Sequence, residues 1–169
     1  MTYLYHHFHS PRLATCFMLF ALSAKLLAAE ASLTIDVEVG AGTGDPPMII
    51  VWLETNEGDF VRTLQVFSKD KKYYKDLTVW WKSHDGNAAD PIDAVIGPTI
   101  KYTASKSATI PLAIGGINIL DGKYQLHIEQ RRDKGGHYKK LRVPLPATFA
   151  SGSIAGDGYI SKINFTVKR

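Results

Sequence analysis

From Ser32 to Val39 apolar and polar residues alternate, with Leu33, Ile35, Val37 and Val39 on one side and Thr34, Asp36 and Glu38 on the other. A period of two is that of a half-buried strand. Met48–Thr55 is a nearly continuous apolar run rich in β-branched residues, and Phe60–Phe67 follows after Asn56-Glu57-Gly58-Asp59. A four-residue polar loop with Gly between two such runs is a hairpin signal. Pairing Thr55 with Phe60 sets Leu64 opposite Val51, Val66 opposite Ile49, Trp52 opposite Thr63 and Glu54 opposite Val61. A second hairpin joins Lys123–Arg132 to His137–Leu145 through Asp133-Lys134-Gly135-Gly136. Pairing Arg132 with His137 puts Leu126 opposite Val143 and Ile128 opposite Leu141 on one face. The other face then pairs His127 with Arg142 and Glu129 with Lys140. Ser107–Ala113 and Gly158–Val167 read as two further strands. Only Ser68–Lys82 breaks the pattern: Tyr73, Tyr74, Leu77, Trp80 and Trp81 recur near helical spacing, which predicts one short helix or turn near 70–82. The expected fold is an all-β, immunoglobulin-like antiparallel β-sandwich of about seven strands. The Cys–Trp–Cys signature of antibody domains is absent, so that likeness is architectural.

The first 31 residues follow a different pattern. Arg12 precedes an apolar run from Leu13 to Ala24, Lys25 ends it, and Ala29-Glu30-Ala31 gives an A-x-A pattern. This is the layout of a secretory signal peptide, cleaved after Ala31 or after Ala29. The run is shorter than the roughly 20 residues a membrane-spanning helix needs. Cys16 lies inside the run rather than after it, which argues against a lipoprotein signal. The expected organisation is a signal peptide at 1–31 and one sandwich domain at 32–169, exported by the general machinery to the periplasm or beyond. Removal of Arg12, Lys25 and Glu30 leaves 18 basic and 15 acidic side chains, a net charge of +3. That balance keeps a protein soluble and is no footprint for nucleic acid. The one Cys leaves with the signal, and thiol chemistry and disulfides leave with it.

Candidate chemistry is sparse. Gly40-Ala41-Gly42-Thr43-Gly44 follows a strand, but it lacks the spacing of a phosphate loop and Pro46-Pro47 blocks the helix such a loop opens. It reads as a plain loop. His127 and Glu129 point the same way from one strand, with His137 as a third potential metal ligand. The register surrounds them with Arg132, Lys140 and Arg142, which repel a metal, so they read as residues of a solvated face. His84, Asp85, Asn87, Asp90 and Asp93 form an acidic loop without the calcium spacing. There is no serine-hydrolase motif, and no catalytic residue is assigned. Tyr73, Tyr74, Trp80 and Trp81 are the densest aromatic cluster. They are either a stacking surface for a sugar, a flavin ring or a partner, or a plug over the open end of the sandwich with one or two rings exposed; the plug is favoured.

An ordered set of motifs carries a resemblance. Val51-Trp52-Leu53-Glu54, Gly58-Asp59-Phe60-Val61-Arg62-Thr63-Leu64, Leu77 with Trp80-Trp81, Asp93-Ala94-Val95, Gly122-Lys123-Tyr124, Ile128-Glu129 with Arg132, and Leu141-Arg142-Val143-Pro144-Leu145 follow one another over residues 33–168. In that order they resemble the bacterial family called domain of unknown function 2271. The resemblance implies an exported protein with an immunoglobulin-like domain similar to that of flagellar hook-capping proteins. It also implies company with PepSY-type membrane proteins and flavin-attaching enzymes, and hence a part in extracytoplasmic electron transfer. Asp93-Ala94-Val95-Ile96-Gly97-Pro98-Thr99 looks like the signal at which FMN is joined to a Thr, with Asp93 and Gly97 matching and Thr99 as acceptor. Ile96 and Pro98 depart from that signal, and Pro98 pushes Gly97 away from helical geometry. Three functions follow as expectations. The first is a non-enzymatic binding or accessory module for a membrane redox partner. The second is a covalent FMN carrier through Thr99, and the third a small carbohydrate-binding protein.

Overall fold

The computed structural model describes residues 30–68, 70–84 and 95–169. Two sheets face each other. The four-stranded sheet runs β10 (Gly152–Ala155), β11 (Ile160–Lys168), β1 (Ser32–Val39), β5 (Ser105–Pro111). The five-stranded sheet runs β4 (Val95–Gly97), β3 (Phe60–Phe67), β2 (Met48–Thr55), β8 (Tyr124–Arg131), β9 (His137–Leu145). A two-stranded ribbon, β6 (Ala113–Ile114) with β7 (Ile117–Asn118), completes the set. The class is therefore the expected all-β sandwich with a short helix. The strand number is larger than about seven: β4, β10 and the ribbon are too short to carry a period. β4 also pairs parallel to β3, an exception to the antiparallel expectation.

The alternation in β1 builds the core directly. Leu33, Ile35, Val37 and Val39 all point at the opposite sheet, where they meet Ile49, Val51 and Leu53 of β2 and Leu126 and Ile128 of β8. β2 is apolar along its length because it is buried on both faces. Its other face carries Met48, Ile50 and Trp52, which pack with Val66 under Tyr74, Leu77 and Trp80. Those three rings and side chains come from a 3₁₀ turn at Lys71–Asp76 and the single helix α1 at Thr78–Ser83. The molecule thus has three layers: sheet, sheet and a helical flap. The flap covers the outer face of the five-stranded sheet, not the open end of the sandwich.

Bulges correct both hairpin registers. In β2–β3 the expected pairing of Trp52 with Thr63 holds, but shifts at Val51/Trp52 and Leu53/Glu54 set Val51 opposite Gln65, Ile50 opposite Val66 and Glu54 opposite Phe60. A one-residue shift exchanges faces. Leu64 and Phe67 therefore join the inter-sheet core while Val66 lies under the flap. In β8–β9 the pairs Leu126–Val143, His127–Arg142 and Ile128–Leu141 form as expected. A shift between Ile128 and Gln130 then places Arg131, not Arg132, opposite His137. In β1–β11 a shift at Glu38/Val39 explains why Ile160 and Ile163 both face inward though three residues apart.

Buried Gln130 ties the sheets together at one end. Its amide donates to the Asp157 carbonyl (2.7 Å) and its oxygen accepts from the Tyr159 and Ile160 amides (2.8 and 3.1 Å). The Gly40–Gly44 loop is held by packing: a Cβ at Gly42 would fall 2.2 Å from the Tyr102 ring, and Arg132 donates to the Thr43 carbonyl (2.9 Å).

The flap carries a titration signature. Tyr74 is buried, its hydroxyl donates to the Ser68 carbonyl (3.0 Å), and burial, then the Asp70 charge, pushes its phenol above the ordinary 10.0. A phenol that resists ionising in the fold contributes stability that is complete below pH 10 and is lost as pH rises through the folded value. Alkaline unfolding followed by tyrosinate absorbance is therefore expected to show a flap transition above pH 10. Tyr74→Phe is expected to remove that pH dependence at a cost of about 1 kcal/mol at neutral pH, for the lost hydrogen bond.

Candidate functional site

The outer face of the five-stranded sheet holds a buried polar layer beneath and beside the flap. Its centre is Glu129 on β8, which is fully buried. One carboxylate oxygen accepts the Val79 amide (3.1 Å) and the other the Trp80 amide (2.9 Å), and His137 Nε2 bonds the first oxygen as well. These amides belong to the first turn of α1, where backbone donors have no partner inside the helix. Leu77, the residue that precedes the helix, has no side-chain oxygen to cap it. Glu129 caps the helix from a different strand, and its charge suits the positive end of the peptide dipoles.

A second carboxylate–imidazole pair lies on the neighbouring register row. Glu54 accepts from Trp52 Nε1 and meets His127 Nδ1, both at 2.9 Å and at the same oxygen. His127 Nε2 lies 2.8 Å from the Lys139 carbonyl. A carbonyl only accepts, so Nε2 carries a hydrogen, and Nδ1 shares a further proton with Glu54. Trp52 stacks on the His127 ring at 4.1 Å. The other Glu54 oxygen has no hydrogen-bond partner and faces Arg142 Nε at 3.8 Å. Trp80 Nε1 donates to Thr63 Oγ1 (2.8 Å), and His84 stacks on Trp80 at 4.1 Å while its Nδ1 meets the Trp80 carbonyl (2.9 Å).

This geometry corrects the solvated-face reading of His127 and Glu129: both are buried, and each is held by partners from other elements. The bulge after Ile128 and the helix above it replace the expected surface pair of Glu129 with Lys140 by a tertiary cap. His137 does approach Glu129, but His127 belongs to the Glu54 pair, and no group of three metal-ligating side chains converges among the described residues. Arg132 reaches Thr43 and Tyr102 instead of this layer. Sequence spacing gave no sign that Glu129 serves a helix about 50 residues away, nor that Glu54 and His127 pair across two strands.

Of the four aromatic candidates, Tyr74 and Trp80 are buried and can stack on nothing from outside; Tyr73 and Trp81 are half-buried. Gly97 ends β4 opposite Phe67, and Pro98 and Thr99 lead away from it. Thr99 lines a cleft of about 230 Å³ with Tyr73, Asp45, Asp70, Asp76 and Asp133. Four carboxylates around Thr99 repel the anionic phosphodiester of an attached FMN, so these residues do not fit that group. Asp93, the remaining residue of the flavin signal, lies outside the described residues, as do Asp85, Asn87 and Asp90 of the acidic loop and nearly all of the expected signal peptide.

Sandwich, flap and buried polar layer define an all-β domain whose ionisable core residues serve the fold. The family model for domain of unknown function 2271, described as a predicted periplasmic protein, matches residues 30–162. The chain belongs to that family, and it is a periplasmic protein. Comparison with curated proteins and with solved structures found no match.

Removal of the Glu129 carboxylate would leave two helix amides and His137 without their acceptor. Glu129→Ala is expected to cost about 3–5 kcal/mol, the range for breaking a buried charged pair. Glu129→Gln keeps one acceptor oxygen and is expected to cost about 1–3 kcal/mol. Urea unfolding followed by tryptophan fluorescence measures both.

Proposed function

We propose that the protein is a non-enzymatic periplasmic binding or accessory module, and that the open edge of the five-stranded sheet is where a membrane redox partner of the PepSY type docks. One observation carries the reading. Among the described residues three large apolar side chains are exposed, and two of them, Val95 (67%) and Ile96 (43%), are adjacent on the edge strand β4. No strand pairs with the far side of β4 among the described residues. An apolar edge left unpaired invites addition of a strand from a partner. The side chains able to perform acid–base chemistry point the other way: Glu54, His127 and Glu129 are buried and already bonded.

A photo-crosslinker placed at Ile96 is expected to capture a discrete membrane protein in the native host, and one at Lys106 on the opposite sheet is not. Equal or absent capture at the two positions would count against the edge as a docking site. Val95→Asp with Ile96→Asp is expected to abolish the adduct formed by a crosslinker at nearby Gly97.

Covalent attachment of FMN to Thr99 is the weaker reading, because the carboxylates that share the cleft oppose it. The intact mass of protein recovered from a host with an active flavin transferase is expected to be that of the unmodified chain. A mass greater by one FMN less water, absent in Thr99→Ala, would reverse the order of the two readings.

A further inference from the structure

The flap has an outer side that the fold does not use. Tyr74, Leu77 and Trp80 face the sheet. Lys71, Lys72, Lys75 and Lys82 are exposed, and Tyr73, Val79 and Trp81 sit half-buried among them. None of these four lysines forms an ion pair among the described residues. The Lys72 ammonium instead lies 4.6 Å above the Tyr73 ring. Asp70 and Asp76 are the acidic residues of the same described segment, so cations outnumber anions by two.

We infer that this side of the flap is a peripheral docking surface for an anionic lipid bilayer. Lysine stems bury methylene groups at an interface while the ammonium stays at headgroup level, and Trp and Tyr rings favour the same depth. The interleaving of Lys with Tyr73 and Trp81 combines these two preferences on one face. Each lysine near an anionic surface adds attraction that falls off within a Debye length, so a surplus of two charges gives weak, salt-labile binding. No described helix is long and apolar enough to cross a membrane, and α1 has only six residues, so contact is made by the surface of the folded domain. Docked in this way, the five-stranded sheet lies along the bilayer. Ile96 pairs with Val66, and Val66 packs under the flap, so the β4 edge is held beside the lipid-facing layer. The inference does not depend on the partner reading, because lipid alone tests it.

The test is co-sedimentation of the mature chain with vesicles of phosphatidylcholine alone or mixed with phosphatidylglycerol. Binding to the mixed vesicles at low ionic strength is expected. It should fall about tenfold or more near 1 M salt, where the Debye length is about 3 Å. Lys72→Glu with Lys75→Glu and Lys82→Glu is expected to abolish binding, and Lys106→Glu with Lys168→Glu on the opposite sheet to leave it intact. Brominated lipid is expected to quench part of the tryptophan emission, and Trp81→Phe to remove that quenching, because Trp52 and Trp80 are buried. This second readout needs no charge reversal and stands if the triple variant fails to fold. Binding that ignores lipid charge, no binding, or equal loss in both sets of lysine variants would overturn the inference. Retention on a soluble polyanion without vesicle binding would also overturn it and point to an acidic partner.

Discussion

Glu129 sits on a strand flanked by two others, yet the groups it holds belong to a helix 49 and 50 residues earlier in the chain. That carboxylate decides where the flap lies. α1 has six residues, far below the length at which a helix is stable alone in water, and it has no side-chain cap of its own. Its apolar contacts through Leu77 and Trp80 would permit some sliding over Ile50, Trp52 and Val66. Two directional bonds to consecutive amides fix one position, and the Trp80 Nε1 bond to Thr63 fixes the ring that follows. The carboxylate can occupy so dry a place because amide hydrogens and His137 meet both its oxygens, which offsets the loss of water.

Glu54 shows the same logic in a less complete form. Its first oxygen is shared by Trp52 and His127, while the second faces Arg142 across 3.8 Å. Arg142 is more than half exposed, so this pair closes the polar layer at its solvent side. Between the two carboxylates lie Trp52 and His127, stacked ring on ring. The sheet face under the flap is thus neither an apolar core nor a surface. It is a set of fixed polar partners that specify register, at a desolvation cost that an apolar replacement would avoid.

The fold was legible where periodicity is long. β1 announces itself by strict alternation, and β2 by an apolar run that only a strand buried on both faces sustains. The hairpin ladders were legible up to their bulges: Trp52–Thr63 and Leu126–Val143 could be read from loop length, but the shifts that send Val66 outward and Leu64 inward depend on packing from both sides. The site was less legible for a physical reason. A strand reading of Glu129 and His127 sees a polar side and infers water, because nothing in β8 itself reveals that a helix covers it. The aromatic cluster was the one signal of that cover. Tyr74, Leu77 and Trp80 needed an apolar face to rest on, and with the inter-sheet core already filled by β1, the outer face of the five-stranded sheet was the place left.

That division of labour bears on function. A small sandwich has two sheet faces turned inward and two turned out, and this chain covers one outer face with a flap instead of leaving it to solvent. Covering it removes Trp52, His127 and Glu129 from any role in contact, and moves contact to the flap's own lysines and half-buried rings and to the β4 edge beside it. The two surfaces differ in what they recognise. The edge offers unpaired backbone and apolar side chains, which suit an extended segment of protein; the flap offers cations between aromatic rings, which suit a charged plane. Because Glu129 locks the flap to the sheet, the orientation of one surface fixes the other. A bilayer engaged by the flap would therefore present the edge at a defined angle to any protein embedded in that bilayer.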